Sequence, residues 1–110
     1  MIEVKSFAAL RRFAPEKLQK LNLFETERFF CDVYCLEPGQ AQKQHAHIAN
    51  DKVYAVLEGT VVAQVAGEER ELHQGEAVLV PAGDEHGVVN RSGGRVALLV
   101  FMAPHPSALK

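Results

Sequence analysis

From Glu27 onward the chain is cut into short β-type runs by regularly spaced turn residues, and this spacing constrains the fold more than any other feature. The runs are ERFFCDVYCLE, KQHAH, KVYAVLE, TVVAQVA, EEREL, EAVLVP, HGVVN and RVALLVFM. Between them stand Pro38-Gly39, Gly59, Gly67, Gly75, Pro81-Ala82-Gly83 and Ser92-Gly93-Gly94. Many short strands with turn signals every few residues predict an all-β sandwich or barrel, not an alternating α/β sheet. With 110 residues there is room for one domain and one core.

The segment before this region reads differently. SFAALRRFAPEKLQKLNLF predicts one or two short helices, with Ser6 as an N-cap and Pro15 in a first helical turn. Leu10, Phe13, Leu18 and Leu21 would form their apolar stripe. The expected organisation is an N-terminal segment over 1–26 that packs on the barrel or on a partner, a barrel over 27–103, and a loose tail over 104–110.

Two strands are apolar on both faces. Val53, Ala55 and Leu57 alternate with Tyr54 and Val56, and Val96, Leu98, Val100 and Met102 alternate with Ala97, Leu99 and Phe101. A sheet with one face in water would alternate apolar with polar. Both strands are therefore expected to be covered twice, which predicts a homodimer.

Composition excludes several classes. A formal net charge of −2 without a basic block speaks against nucleic-acid binding and a polybasic membrane anchor. No run is long enough to span a bilayer, and the N-terminus lacks a signal-type apolar core, so a cytoplasmic location is expected. Cys31 and Cys35 lie on one strand, about 13 Å apart, and are expected to be free buried thiols.

The chemistry-bearing residues are histidines. His45 and His47, two apart on a strand, share a face, and His86 opens a later strand just after Gly83. Three imidazoles converging inside a barrel would bind a divalent transition metal. His73 and His105 read as surface residues, and Asn90 as a residue that fixes a turn through backbone hydrogen bonds.

The spacings around these histidines are Gly39, five residues, His45-x-His47, and later Gly75, Pro81, Gly83, His86, Asn90. They resemble both motifs of the cupin superfamily, from about Cys35 to Asn90. The resemblance implies a double-stranded β-helix, or jelly-roll, barrel with one metal pocket, often in dimers that share N-terminal segments. It implies His45, His47 and His86 as ligands to one divalent metal per chain, with iron, zinc, nickel and manganese all compatible. It further implies cupin dioxygenases acting on small anionic substrates as one functional class, and non-enzymatic or metal-free ligand-binding barrels as the alternative.

One position departs from the pattern. The motif's glutamate ligand falls on position 52, which is Lys52. An ammonium about 6 Å from a dication would meet roughly 5 kcal/mol of repulsion at an effective dielectric near 20. The strain is relieved if Lys52 swings out, loses its proton, faces an intervening anion, or if no metal is bound. Counting by twos from His47 places Lys43 on the histidine face, and counting from Lys52 adds Tyr54 and Val56. Lys43, Lys52, Tyr54 and Val56 are thus the candidate substrate residues, and Asp51 falls on the opposite face.

Overall fold

The computed structural model describes residues 1–109, among which nine strands form two antiparallel sheets. A four-residue helix, α1 (Phe7–Leu10), precedes them. The strands are β1 (Gln19–Glu25), β2 (Phe30–Leu36), β3 (Ala41–His45), β4 (Asp51–Glu58), β5 (Thr60–Val65), β6 (Glu68–His73), β7 (Ala77–Val80), β8 (His86–Val89) and β9 (Val96–Ala103). One sheet runs β1-β2-β9-β4-β7 and the other β3-β8-β5-β6. The all-β jelly-roll expectation is correct. No helix among the described residues is long and apolar enough to cross a membrane.

The expected helices are mostly absent. Ser6 does cap α1, its hydroxyl accepting from the Ala9 amide at 3.2 Å, but the helix ends at Leu10. Residues 19–25 form an edge strand instead of a second helix. Lys20 and Asn22 alternate with Leu21 and Leu23, and that period of two pairs with β2 from Gln19 opposite Cys35 to Glu25 opposite Phe30. A waiting sheet edge outweighs the weak helical stripe.

The core between the sheets holds Tyr34, Leu36, Tyr54, Val56, Val61, Val88, Val96, Leu98 and Val100. On the outer face of the five-stranded sheet a second cluster buries Leu23, Val33 and Cys35 beneath Leu10, Phe13 and Leu21. The N-terminal segment therefore covers half of that face. Arg11 holds it through Glu58 at 2.6 Å, and Gln40 donates to the Ala14 carbonyl at 2.7 Å. Cys31 and Cys35 are free, and burial raises the pKa of each thiol.

Two contacts hold the chain just after β9. Asn50 donates to the Pro104 carbonyl at 2.6 Å, and His105 lies 2.9 Å from Glu25. His105 therefore ties the segment just after β9 to Glu25 of β1, whereas His73 is exposed at the end of β6.

Candidate metal centre

The site lies between the sheets, and its halves come from opposite sides. His45 ends β3 and His86 begins β8, and the two are direct cross-strand partners. Their rings approach to 4.4 Å between centroids. His47 follows in the loop after β3. That loop is clamped to the next turn, because the Gly83 amide donates to the His47 carbonyl at 2.8 Å. Gly83 sits at φ +91°, a left-handed conformation that glycine adopts without strain. The clamp brings the three imidazoles together, with one ring nitrogen of each within 4.8 Å of the others.

Backbone carbonyls orient two of the rings. His45 Nδ1 lies 2.8 Å from the Lys43 carbonyl, and His86 Nδ1 lies 2.9 Å from the Asp84 carbonyl. A carbonyl only accepts, so each Nδ1 carries the proton and each Nε2 presents a lone pair. His86 is buried, and its pKa is pushed down to about 4 by that burial and by nearby positive charge from Lys52. His47 is also lowered, by burial and by His45, Lys52 and Lys20. Neutral imidazoles with free Nε2 atoms are the form that binds metals.

Lys52, Tyr54 and Tyr34 from the opposite sheet, with Gln42 of β3, close the inner side. Lys52 is 2% exposed, and its Nζ lies 3.5 Å from both His86 Nε2 and Gln42 Oε1. Tyr54 donates its hydroxyl to the same Gln42 oxygen at 2.6 Å, and the Gln42 amide donates to the Tyr34 hydroxyl at 3.3 Å. The Lys52 ammonium also stands 5.0 Å from the Tyr54 ring and 5.8 Å from the Tyr34 ring. Burial pulls its pKa down to about 8 and pushes that of Tyr34 up to about 12.

Of the candidate residues, the structure gathers His45, His47, His86, Lys52 and Tyr54. Val56 is buried in the apolar core, and its side chain offers no polar group to the site. Lys43 is corrected: it is exposed, while its neighbour Gln42 points inward. The register between β3 and β8 shifts between Gln42 and His45, so the count by twos fails across that irregularity. Asp51 is not among the gathered groups, and its carboxylate accepts from the Ala82 amide at 2.9 Å. Asn90 fixes its turn as expected, donating to Leu36 and Gly94 carbonyls and accepting from Ser92. Gln42 and Tyr34 were missed. Gln42 precedes the irregularity on β3, so alternation could not phase it with the histidines, whereas Tyr34 lies on the unbroken strand β2 and only the packing of β2 against the site reveals its part.

The donor set fits a divalent transition metal. Metal–nitrogen bonds of about 2.0–2.1 Å place ligand nitrogens roughly 3.4 Å apart in a tetrahedron, so nitrogens within 4.8 Å of one another need close by no more than about 1.4 Å. A jelly roll with an imidazole cluster between its sheets defines the class of small single-site β-barrel proteins. Within that class the cupin domain family, Cupin_2, matches residues 32–102, and the chain belongs to that family. The protein TT1209 from Thermus thermophilus is 48% identical with a TM-score of 0.93, covering 96% of this chain and all of that one. The tetracenomycin polyketide synthase protein TcmJ of Streptomyces glaucescens is 39% identical over 75 residues, 64% of this chain. The match spans about half the length of TcmJ (50%). KdgF from Halomonas shares the fold at a TM-score of 0.77, with 20% identity and 84% of each chain covered.

Proposed function

We propose that the protein is a metal-dependent cupin enzyme acting on a small anionic substrate, with oxygenation of an enolate or carboxylate-bearing compound as its reaction. The observation that carries this reading is the convergence of three imidazole nitrogens within 4.8 Å, beside a buried ammonium. His45, His47 and His86 would hold the metal. A divalent ion there supplies Lewis acidity, and iron in addition supplies redox chemistry toward oxygen. The chain's own residues do the rest. Lys52 binds and orients the substrate's negative charge. The Tyr34–Gln42–Tyr54 group fixes the direction of the lysine and keeps water from the inner side.

TcmJ supports a substrate class. By its name it belongs to a polyketide synthase, and polyketides carry paired carbonyl groups that ionise to enolates. Enolisable diketones and hydroxylated aromatic acids are therefore the compounds to assay first. The test is elemental analysis of tag-free protein purified without chelator, with His86→Ala as control. About one iron per chain, lost in the control, followed by oxygen uptake with a diketone, supports the reading.

A second reading has its own observation. Lys52 Nζ already occupies hydrogen-bond distance of His86 Nε2, so the ammonium could serve as a resident cation in a metal-free anion-binding module. Absence of metal after reconstitution selects this reading. In both, a homodimer covers the bare half of the five-stranded sheet.

A further inference from the structure

The nitrogen through which His86 would bind a metal has two claimants. With its Nδ1 proton given to the Asp84 carbonyl at 2.9 Å, His86 has one lone pair, on Nε2, and Lys52 Nζ stands 3.5 Å from it. That lone pair accepts from the ammonium or binds an ion, and does not do both. The other acceptor within reach of Lys52 is Gln42 Oε1, also at 3.5 Å, which already takes the Tyr54 hydroxyl at 2.6 Å. Among the described residues no carboxylate lies within 4.0 Å of the ammonium. Asp32, the acid whose charge bears on Lys52, is engaged by Asn22 at 3.1 Å. At 2% exposure, bulk water does not replace a lost partner.

A metal on His86 therefore takes an acceptor from a buried ammonium and adds like charge beside it. Both costs are removed by one species, a small anion that accepts from Lys52 and offsets the charge. Neutral ligands would meet the first need and not the second. The anion would enter from the side of His45 and His47, which are half-buried, because Gln42, Tyr34 and Tyr54 close the other side. Lys20 on β1, with its Nζ 5.3 Å from the Tyr34 ring, adds a second positive charge on the Tyr34 side of the site.

We propose that Lys52, backed by Gln42, forms an anion subsite that makes metal binding depend on a co-bound small monoanion, such as a carboxylate, hydrogencarbonate or enolate. The inference rests on the metal-centre reading and adds to it a coupling between two ligands. By linkage, the factor by which the anion raises metal affinity equals the factor by which the metal raises anion affinity. A glutamate at position 52 would make such an anion unnecessary, so the lysine transfers charge compensation from the protein to the ligand.

The test uses Co(II) as probe metal and formate as probe anion, with perchlorate matching the ionic strength at pH 7. Calorimetry and visible absorption follow the titration of metal-free protein. Formate is expected to raise the wild-type Co(II) affinity at least tenfold and to shift the visible band. In Lys52→Gln and Lys52→Met, affinity without formate should exceed that of the wild type, and formate should change it less than twofold. A formate effect absent from the wild type, or equal in the wild type and both variants, overturns the coupling and leaves the metal centre standing. Failure to find any Co(II) binding that His86→Ala removes, with or without formate, overturns the metal reading and the coupling with it. The wild-type comparison needs no variant, so a variant that fails to fold does not protect the proposal.

Discussion

Position 52 carries the strongest single-residue prediction. Lys52→Glu puts a carboxylate where the present side chain lies 3.5 Å from His86 Nε2. Metal affinity measured by calorimetry without added anion should rise by at least tenfold, whereas unchanged affinity would put the side chain outside the site. Gln42 tests the buried polar group. Gln42→Leu strips the Tyr54 hydroxyl and Lys52 of their shared acceptor, and a buried donor left unpaired costs about 1–3 kcal/mol. Urea unfolding should show a loss of that size, and a neutral substitution would mean water reaches the group. A pH prediction follows from His86. Its pKa falls from 6.5 to about 4 on folding, so between those values the unfolded chain holds the proton and the folded chain does not. Stability of the metal-free protein is then fully present above pH 6.5 and is lost as pH falls toward 4. His86→Gln should flatten that slope. At this scale the histidines and the anomaly at Lys52 were legible, because spacing and residue type are local. The acceptor that holds Lys52 was not, because a glutamine has no signature until the opposite sheet is in place.

At the scale of elements, the irregularity between β3 and β8 does most to set the site. It turns Gln42 inward, Lys43 outward and His45 inward again within four residues. Gly87 makes this possible, since a Cβ there would lie 2.5 Å from the Gln42 carbonyl oxygen and 3.1 Å from the Gln44 amide nitrogen. Both neighbours are backbone, so they yield only if the strand moves. Gly87→Ala should therefore cost on the order of 2–3 kcal/mol and also weaken metal binding, because His45 and Gln42 shift together. Thermal unfolding and a metal titration on one variant check both effects. A variant that loses stability but keeps its metal affinity would show that the bulge does not position the ligands. The same irregularity explains the misplaced Lys43, for alternation fixes side-chain direction only along an unbroken pleat. β1 was hidden for a different reason. Leu18 and Leu21 suit a helix as well as Leu21 and Leu23 suit a strand, and the choice falls to an edge of β2 that the sequence does not display.

At the scale of the whole molecule, the unfinished surface is the outer face of the five-stranded sheet. Cα pairing aligns Cys31, Phe101, Val53 and Leu79 in one row across β2, β9, β4 and β7, with no charge along it. The N-terminal segment covers the β1–β2 end of this face but leaves Leu79 60% and Phe101 38% exposed at the other. The segment also leaves its own Ile2 and Val4 more than 80% exposed. With Met1 and Phe7, these residues leave in water the equivalent of about four large apolar side chains, roughly 800 Å² at ~190 Å² apiece. That is about what one partner contributes to an interface of standard size. A second copy of the chain offers the matching surface, since each copy carries both a bare sheet face and an uncovered apolar segment. Light scattering at micromolar concentration should return a dimer, and Leu79→Glu with Phe101→Glu should return a folded monomer with its metal centre intact. The three histidines face the interior between the sheets, so separation of the copies should leave metal affinity within about twofold of the wild type. A compact wild-type monomer would mean that the doubly apolar strands tolerate water, and the reasoning from strand pattern to partner would fail at its first step.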